Sequence, residues 1–243
     1  ANFQQPSTAP GTVHPWPLLQ DRMRLVLATT PKTGMAIIND VGAANDTHPK
    51  NKKDPGERLA LWALAKDYGK DITYSGPLYQ SNEIKGDAIR VTFAQSGTGL
   101  KSRDGGELKR FEIAGADQKW HWAEAKIDGK DSVLVRSAEV KQPVAVRYAW
   151  AANPEGSNLV NSEGLPTSVF RTDDWKDVLK AQAQVQPAPN KAIAQRRALG
   201  AEIRALNAKR KTLDPSSQQH KDLTQKINAM MKQYQAAPAK NPK

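Results

Sequence analysis

Apolar positions recur along this chain with changing periods, and each change marks a different kind of structure. Leu18, Leu19, Met23, Val26 and Leu27 follow a helical repeat that predicts a helix from Leu18 to Thr29, ended by Pro31. The lead-in, residues 1–17, contains Pro6, Pro10, Gly11, Pro15 and Pro17 and predicts a loop, because proline fixes φ and removes a donor. Gly34–Asn39 reads GMAIIN, a short apolar run after a turn signal, and predicts a buried strand of the kind found in parallel sheets. The polar stretch NDTHPKNKKDPGE, residues 45–57, comes next. A second helical pattern follows at Leu59, Leu61, Trp62, Leu64 and Tyr68, with Gly69 as its stop. Asp54 is the expected cap of that helix, with Pro55 in the first position and Glu57 three residues on. Strand, loop and helix in this order predict an α/β layer, whose chemistry sits on loops at the carboxyl ends of strands.

From Ile72 to about Ala151 the period shortens to two. The runs LYQSNEI, AIRVTF, RFEIAG, KWHWAEAKI, SVLVRS and VAVRYAW are separated by turns at Lys85-Gly86-Asp87, Asp104-Gly105-Gly106 and Asp128-Gly129-Lys130. Short strands at near-regular spacing predict a β-sandwich or jelly roll. Residues 152–175 are rich in Gly, Pro, Asn and Ser and read as a closing loop. A linker, QPAPN at 186–190, leads to two more helical stripes: Leu199, Ile203, Leu206 and Leu213, then Leu223, Ile227, Met230 and Tyr234. Asp214-Pro215-Ser216-Ser217 breaks between them and offers a serine cap, so a helical hairpin is expected. The organisation predicted is 1–71, 72–175 and 176–243.

Charge divides the chain the same way. Of a net +11, residues 180–243 carry 13 Lys/Arg against 3 Asp/Glu, while the rest carries 23 against 22. An acidic partner surface is therefore an expectation for the tail alone, set against the plainer reading of a solvated helical face. With no cysteine, disulfides, thiolate nucleophiles and cysteine metal sites are excluded. That fits an oxidising compartment, and the expected location is periplasmic or secreted. No apolar run is long enough to span a membrane. The chain starts at Ala1 rather than Met, which reads as a processed chain or a fragment.

Four histidines are present. His14, in the proline-rich lead-in, and His220, in the basic tail, read as solvated. His121 alternates with Trp120 and Trp122 on a strand and reads as a packed or surface histidine. His48 lies on the loop between the expected strand and the second helix, with Asp46 nearby and Asp40 at the strand end. Two readings of it stay open on the residues alone: an exposed loop side chain, or a general base whose carboxylate partner fixes its tautomer. A base of that kind serves a serine on a strained turn beside oxyanion donors. Gly-x-Ser-x-Gly is absent, and Ser81 and Ser157 lack that setting. No histidine pair has ligand spacing, no calcium loop matches, and no glycine-rich phosphate loop precedes a helix, so neither metal nor cofactor is expected. A different class of function rests on Trp120, Trp122 and Trp150: a non-catalytic glycan-binding or interaction module that stacks tryptophans on sugars, weighed against tryptophans simply buried in a core.

The segments GMAIINDVGAANDTHPKNKKDPGERLALWALAKDYGK, YSGPLY, DGGELKRFEIAGADQKWHWAEAKI, VAVRYAWAANPEGSNL and GLPTSVFRTDDW occur in this order. Over about residues 16–175 the chain resembles the C-terminal half of the sialate O-acetylesterases, of the SGNH (GDSL-like) hydrolase superfamily. The resemblance implies an α/β fragment of a flavodoxin-like SGNH hydrolase domain, followed by the β-sandwich-like region and the helical hairpin. It implies a serine carboxylic ester hydrolase that removes O-acetyl groups from sialic acid or a related acetylated glycan. The family's histidine lies in His-Pro-Lys-Asn-Lys, here His48 to Lys52, so the resemblance makes His48 the general base. The superfamily places an aspartate three positions before that histidine. Asn45 stands there instead, which leaves Asp46 as first and Asp40 as second choice for the orienting carboxylate. The family's serine nucleophile and its oxyanion Gly and Asn lie in an N-terminal half without counterpart here. The expected partners are thus an acetylated sugar and that other half, and the chain alone is expected to be nearly inactive.

Overall fold

The repeat that begins at Leu18 forms α1, Pro15–Thr29, and the one after the polar loop forms α2, Lys53–Lys66. The computed structural model describes residues 6–46, 48–175 and 191–236. It divides into two units, residues 1–181 and 182–243.

α1 starts two prolines early. Pro15 and Pro17 tolerate the first turn, where their missing N–H groups cost nothing, and the His14 ring caps it: Nδ1 accepts from the Trp16 N–H at 3.2 Å. His14 is therefore a structural cap, which the sequence does not signal, and partial burial lowers its pKa, in keeping with an unprotonated acceptor. Leu18 packs on the β core, Asp21 pairs with Arg24, and the Arg24 guanidinium lies 5.5 Å over the Tyr79 ring. The N-cap position of α2 is Lys52, and the side chain that accepts from the first turn is Asn51, one residue earlier, rather than Asp54. Asn51 Oδ1 accepts from the Asp54 N–H at 3.1 Å, and its amide donates to Asp54 Oδ2 at 3.0 Å, so the helix opens one residue before the expected cap. Gly69, at φ +64°, closes the C-terminal end as expected, and the Lys70 N–H turns back to the Leu64 carbonyl.

The strand expected at 34–39 does not join a sheet. Among the described residues no strand lies beside it; the Met35 carbonyl accepts from Trp62 Nε1 at 2.9 Å and the Ile37 carbonyl from Arg58 at 2.5 Å. Side chains of α2 have taken the place of a strand ladder on that side.

Beyond Ile72 the architecture is antiparallel throughout. One sheet has the order β1-β2-β7-β6, from Leu78–Lys85, Ala88–Ala94, Ser132–Arg136 and Glu124–Ile127. The second has the order β10-β8-β4-β5, from Phe170–Arg171, Pro143–Tyr148, Phe111–Gly115 and Trp120–Trp122. A two-stranded pair joins β3, Leu100–Ser102, to β9, Leu159–Asn161. Register puts Ile89 opposite Val135 and Val91 opposite Val133 in the first sheet, and Phe111 opposite Tyr148 and Ile113 opposite Val146 in the second. All eight are buried in one core shared by both sheets, as period-two strands with one inward face require. Phe170 joins the layers, stacking on Tyr79 at 5.1 Å and meeting Phe93 edge-on at 5.6 Å. The expected turns at Gly86 and Gly129 hold φ +64° and +86°, the left-handed region that glycine enters without penalty. The region read as a closing loop, 152–175, contains β9 and β10, and KWHWAEAKI splits into β5 and β6 at Ala123.

In the second unit, α3, Lys191–Arg210, and α4, Gln218–Ala236, pack Ile203 against Ile227 and Met230, with Leu199, Leu206, Leu223 and Tyr234 around them. Both expected stripes meet, except that Leu213 falls in the connecting turn. Ser217 Oγ accepts from the His220 N–H at 3.2 Å and caps α4. The expected linker at 186–190 lies outside the described residues. Among the described residues no helix is long and apolar enough to cross a membrane.

Candidate functional site

The loop that carries His48 is fixed by side chains at both ends. At its start Asn39, nearly fully buried, donates from Nδ2 to the Thr167 carbonyl at 2.9 Å. Asp40 is clamped next to it. Arg58 of α2 meets its carboxylate with two hydrogen bonds, at 2.6 and 2.8 Å, and Arg103, just after β3, adds a third at 2.8 Å. The planar guanidinium fork suits such two-point pairing, so one carboxylate ties the loop to both α2 and the β region. A tight turn follows, where the Asp46 N–H reaches the Ala43 carbonyl at 3.1 Å. Asp46 Oδ1 then accepts from the backbone N–H of His48 at 2.7 Å, an Asx turn, and Asn51 closes the loop against α2.

His48 is exposed, and among the described residues no group is hydrogen-bonded to its ring. The structure therefore brings Asp46 and His48 together through the main chain, within one turn. It brings Asp40 to the same loop but commits its carboxylate to two arginines. Neither Arg58 nor Arg103 stands out in the sequence. They lie 18 and 63 residues from Asp40, with no local pattern linking them.

The start of this loop forms one wall of a polar cleft of about 480 Å³. Asp40, Gly42 and Ala44 line it together with Arg103, Asp104 and Asn158. Asn158 stiffens the lining. Its Nδ2 donates to Ser102 Oγ, Asp104 Oδ1 and the Glu107 carbonyl at 3.0, 2.9 and 2.8 Å, while its Oδ1 accepts from the Lys109 N–H. Hydrogen bonds from Ser102 and Asn158, then from the Gly106 N–H, hold the Asp104 carboxyl far below the usual carboxylate range. Ser157 also borders the cleft, but its side chain hydrogen-bonds the phenol of Tyr148, which is buried in the core. Ser81 sits on the exposed face of β1. Among the described residues no histidine ring is hydrogen-bonded to either serine. Among the described residues no group of three His, Asp or Glu side chains has the geometry to hold a metal ion.

The chain is similar to a carbohydrate acetylesterase. That protein is an enzyme from Xanthomonas citri of known crystal structure, 44% identical in sequence, with a TM-score of 0.67. The match covers 72% of this chain and 40% of that one, so the chain spans well under half of the enzyme's length. No family model and no curated protein matches the chain.

The tryptophans divide between core and surface. Trp150 is fully buried. Trp120 is covered by the Arg147 guanidinium at 4.0 Å and by Trp175 at 5.3 Å. Of the three tryptophans weighed as a sugar platform, Trp122 alone is exposed. Arg147 and Arg171 both pair with the buried carboxylate of Asp173 under this group. His121, half-buried on β5, pairs with the exposed Glu139 at 2.6 Å.

Proposed function

We propose that this chain is the histidine-bearing part of a serine carbohydrate esterase that removes O-acetyl groups from sialic acid or a related acetylated glycan. The observation that carries the reading is the 44% identity to a carbohydrate acetylesterase. The geometry of the loop supports it: His48 stands exposed on a turn anchored at both ends, in the loop whose first residues, among them Asp40, Gly42 and Ala44, line a polar cleft of sugar-accommodating size. In the mechanism His48 takes the proton from a serine hydroxyl supplied by polypeptide outside these 243 residues. It then returns that proton to the departing sugar oxygen as the acyl-enzyme forms, and water releases acetate by the same steps in reverse. Asp46 shares the histidine's turn and is the first candidate to orient the ring; Asp40, held by Arg58 and Arg103, is the second and in any case anchors the loop. On this reading residues 1–71 are the C-terminal part of a flavodoxin-like α/β esterase domain of the SGNH kind, and the enzyme works in the periplasm or outside the cell.

The test is acetyl release from O-acetylated sialic acid and from acetylated xylan. The chain is assayed alone and after co-expression with the portion of the Xanthomonas citri enzyme outside the match. Activity in the combination and none in the chain alone is expected; a combination inactive on every acetylated sugar contradicts the reading. The basic segment 180–243 we read as the contact to an acidic surface, on its excess of Lys and Arg.

A further inference from the structure

The segment that forms no strand is shaped to accept one. In extended chain the N–H and C=O of one residue point to the same side, and neighbouring residues point to opposite sides. The Met35 and Ile37 carbonyls are turned to α2, where Trp62 and Arg58 donate to them. Ala36 and Ile38 therefore face the other way. Among the described residues, the N–H groups of Ala36 and Ile38 donate to nothing and the Ala36 carbonyl accepts from nothing.

An apolar groove of about 260 Å³ runs along that open side. Its walls include Trp16, Leu19 and Met23 of α1 and Val169, and no ionisable side chain lines it. Leu19 and Met23 are about half exposed (50% and 51%), on the face of α1 turned away from the β core. An unpaired main-chain edge beside an uncharged apolar groove binds an extended apolar segment: the edge supplies ladder hydrogen bonds, and the groove takes alternate side chains.

We propose that Met35–Ile38 and the outer face of α1 form the docking surface for one strand of the nucleophile-bearing part of the esterase, which adds to the Ala36–Ile38 edge. The proposal rests on the esterase reading above and names how its two parts join. Three observations select this occupant over a soluble ligand. The chain spans 40% of the acetylesterase it resembles, so most of that enzyme lies outside the match. The open groups are main-chain donors and an acceptor, which a strand satisfies in register. The uncharged lining leaves an ionic partner nothing to pair with.

The experiment co-expresses the full 243-residue chain with the unmatched portion of the Xanthomonas citri enzyme and measures complex formation by size-exclusion chromatography and calorimetry. Amide hydrogen exchange follows Ala36 and Ile38 in the chain alone and in the complex. Ala36→Pro removes the central donor while allowing extended backbone, and Leu19→Glu places a charge in the groove. The proposal expects a complex, protection of the Ala36 and Ile38 amides of at least tenfold on binding, and affinity weakened at least tenfold by each variant. Thermal melting of either variant chain alone is expected to match the unmodified chain, which excludes misfolding as the cause. Failure to form a complex, unchanged affinity in both variants, or a self-dimer of the chain that protects the same amides overturns it. Acetyl release is read separately. A complex that forms through this edge but releases no acetate refutes the esterase reading and leaves the docking surface standing; full acetyl release with Ala36→Pro refutes the docking surface alone.

Discussion

Asp40→Asn tests the architecture of the His48 loop. The Asp40 side chain is 6% exposed and that of Arg58 14%, so the substitution leaves a nearly buried guanidinium without its counter-charge. Removing one partner of a buried ion pair costs about 3–5 kcal/mol. The second contact, to an Arg103 that is 37% exposed, adds no more than about 1 kcal/mol, because water screens it. A loss of about 4 kcal/mol follows, and in a unit of this size each kcal/mol moves Tm by about 2–4 °C. Calorimetry should therefore place the transition of the unit containing the loop roughly 8–16 °C below that of the unmodified chain. Arg103→Ala should lower it by only about 2–4 °C. The double variant Asp40→Leu with Arg58→Met should recover most of the loss, since it buries no lone charge. A Tm for Asp40→Asn within 2 °C of the unmodified chain would refute the claim that this carboxylate pins the loop.

Two further tests concern regions away from the cleft. Glu112, almost fully buried, has its pKa pushed from 4.5 up to about 7 by desolvation, against the Gly11 N–H it accepts from at 2.8 Å and the nearby Arg147 and Arg110 charges. The folded state holds this proton longer than the unfolded chain, so its stabilisation is full below pH 4.5 and is lost as pH rises through about 7. At about 1.4 kcal/mol per pKa unit the loss comes to about 3–4 kcal/mol once the pH is well above 7. Glu112→Gln should then melt several degrees above the unmodified chain at pH 8 and lose that advantage at pH 4.5; the opposite order would contradict the assignment. The basic hairpin should be retained on heparin at low salt and released as salt rises toward 0.5 M, roughly the range over which screening shortens to a few ångströms; retention that ignores salt would exclude an electrostatic contact.

The sequence shows most clearly what repeats within one element. Four helical stripes and six alternating runs each carry their own period, and helices and strands form there, apart from Leu213, which falls in a turn, and KWHWAEAKI, which divides into two strands. The short strands β3, β9 and β10, of two or three residues, carry too few positions to show a period and exist because a partner pairs them. GMAIIN misleads for a related reason. Its apolar run does describe a part-buried segment, but strand status depends on neighbours, and its neighbours here are Trp62 and Arg58 side chains. In the candidate site, His48 and Asp46 are legible because they share one turn. Asp40, Arg58, Arg103 and Asn158 come together only through tertiary contacts across gaps of 18 to 63 residues, which no local pattern encodes.

The central claim, that this loop carries the proton acceptor of an acyl-transfer site, is met most directly by one comparison. It is the kcat/KM for acetyl release from an O-acetylated sugar, measured on the co-expressed enzyme with His48 intact and with His48→Ala. Loss of a general base predicts a fall of about 10²–10⁴-fold with the complex still assembled. A variant that keeps its activity within about twofold, in a complex of unchanged affinity, would contradict the account.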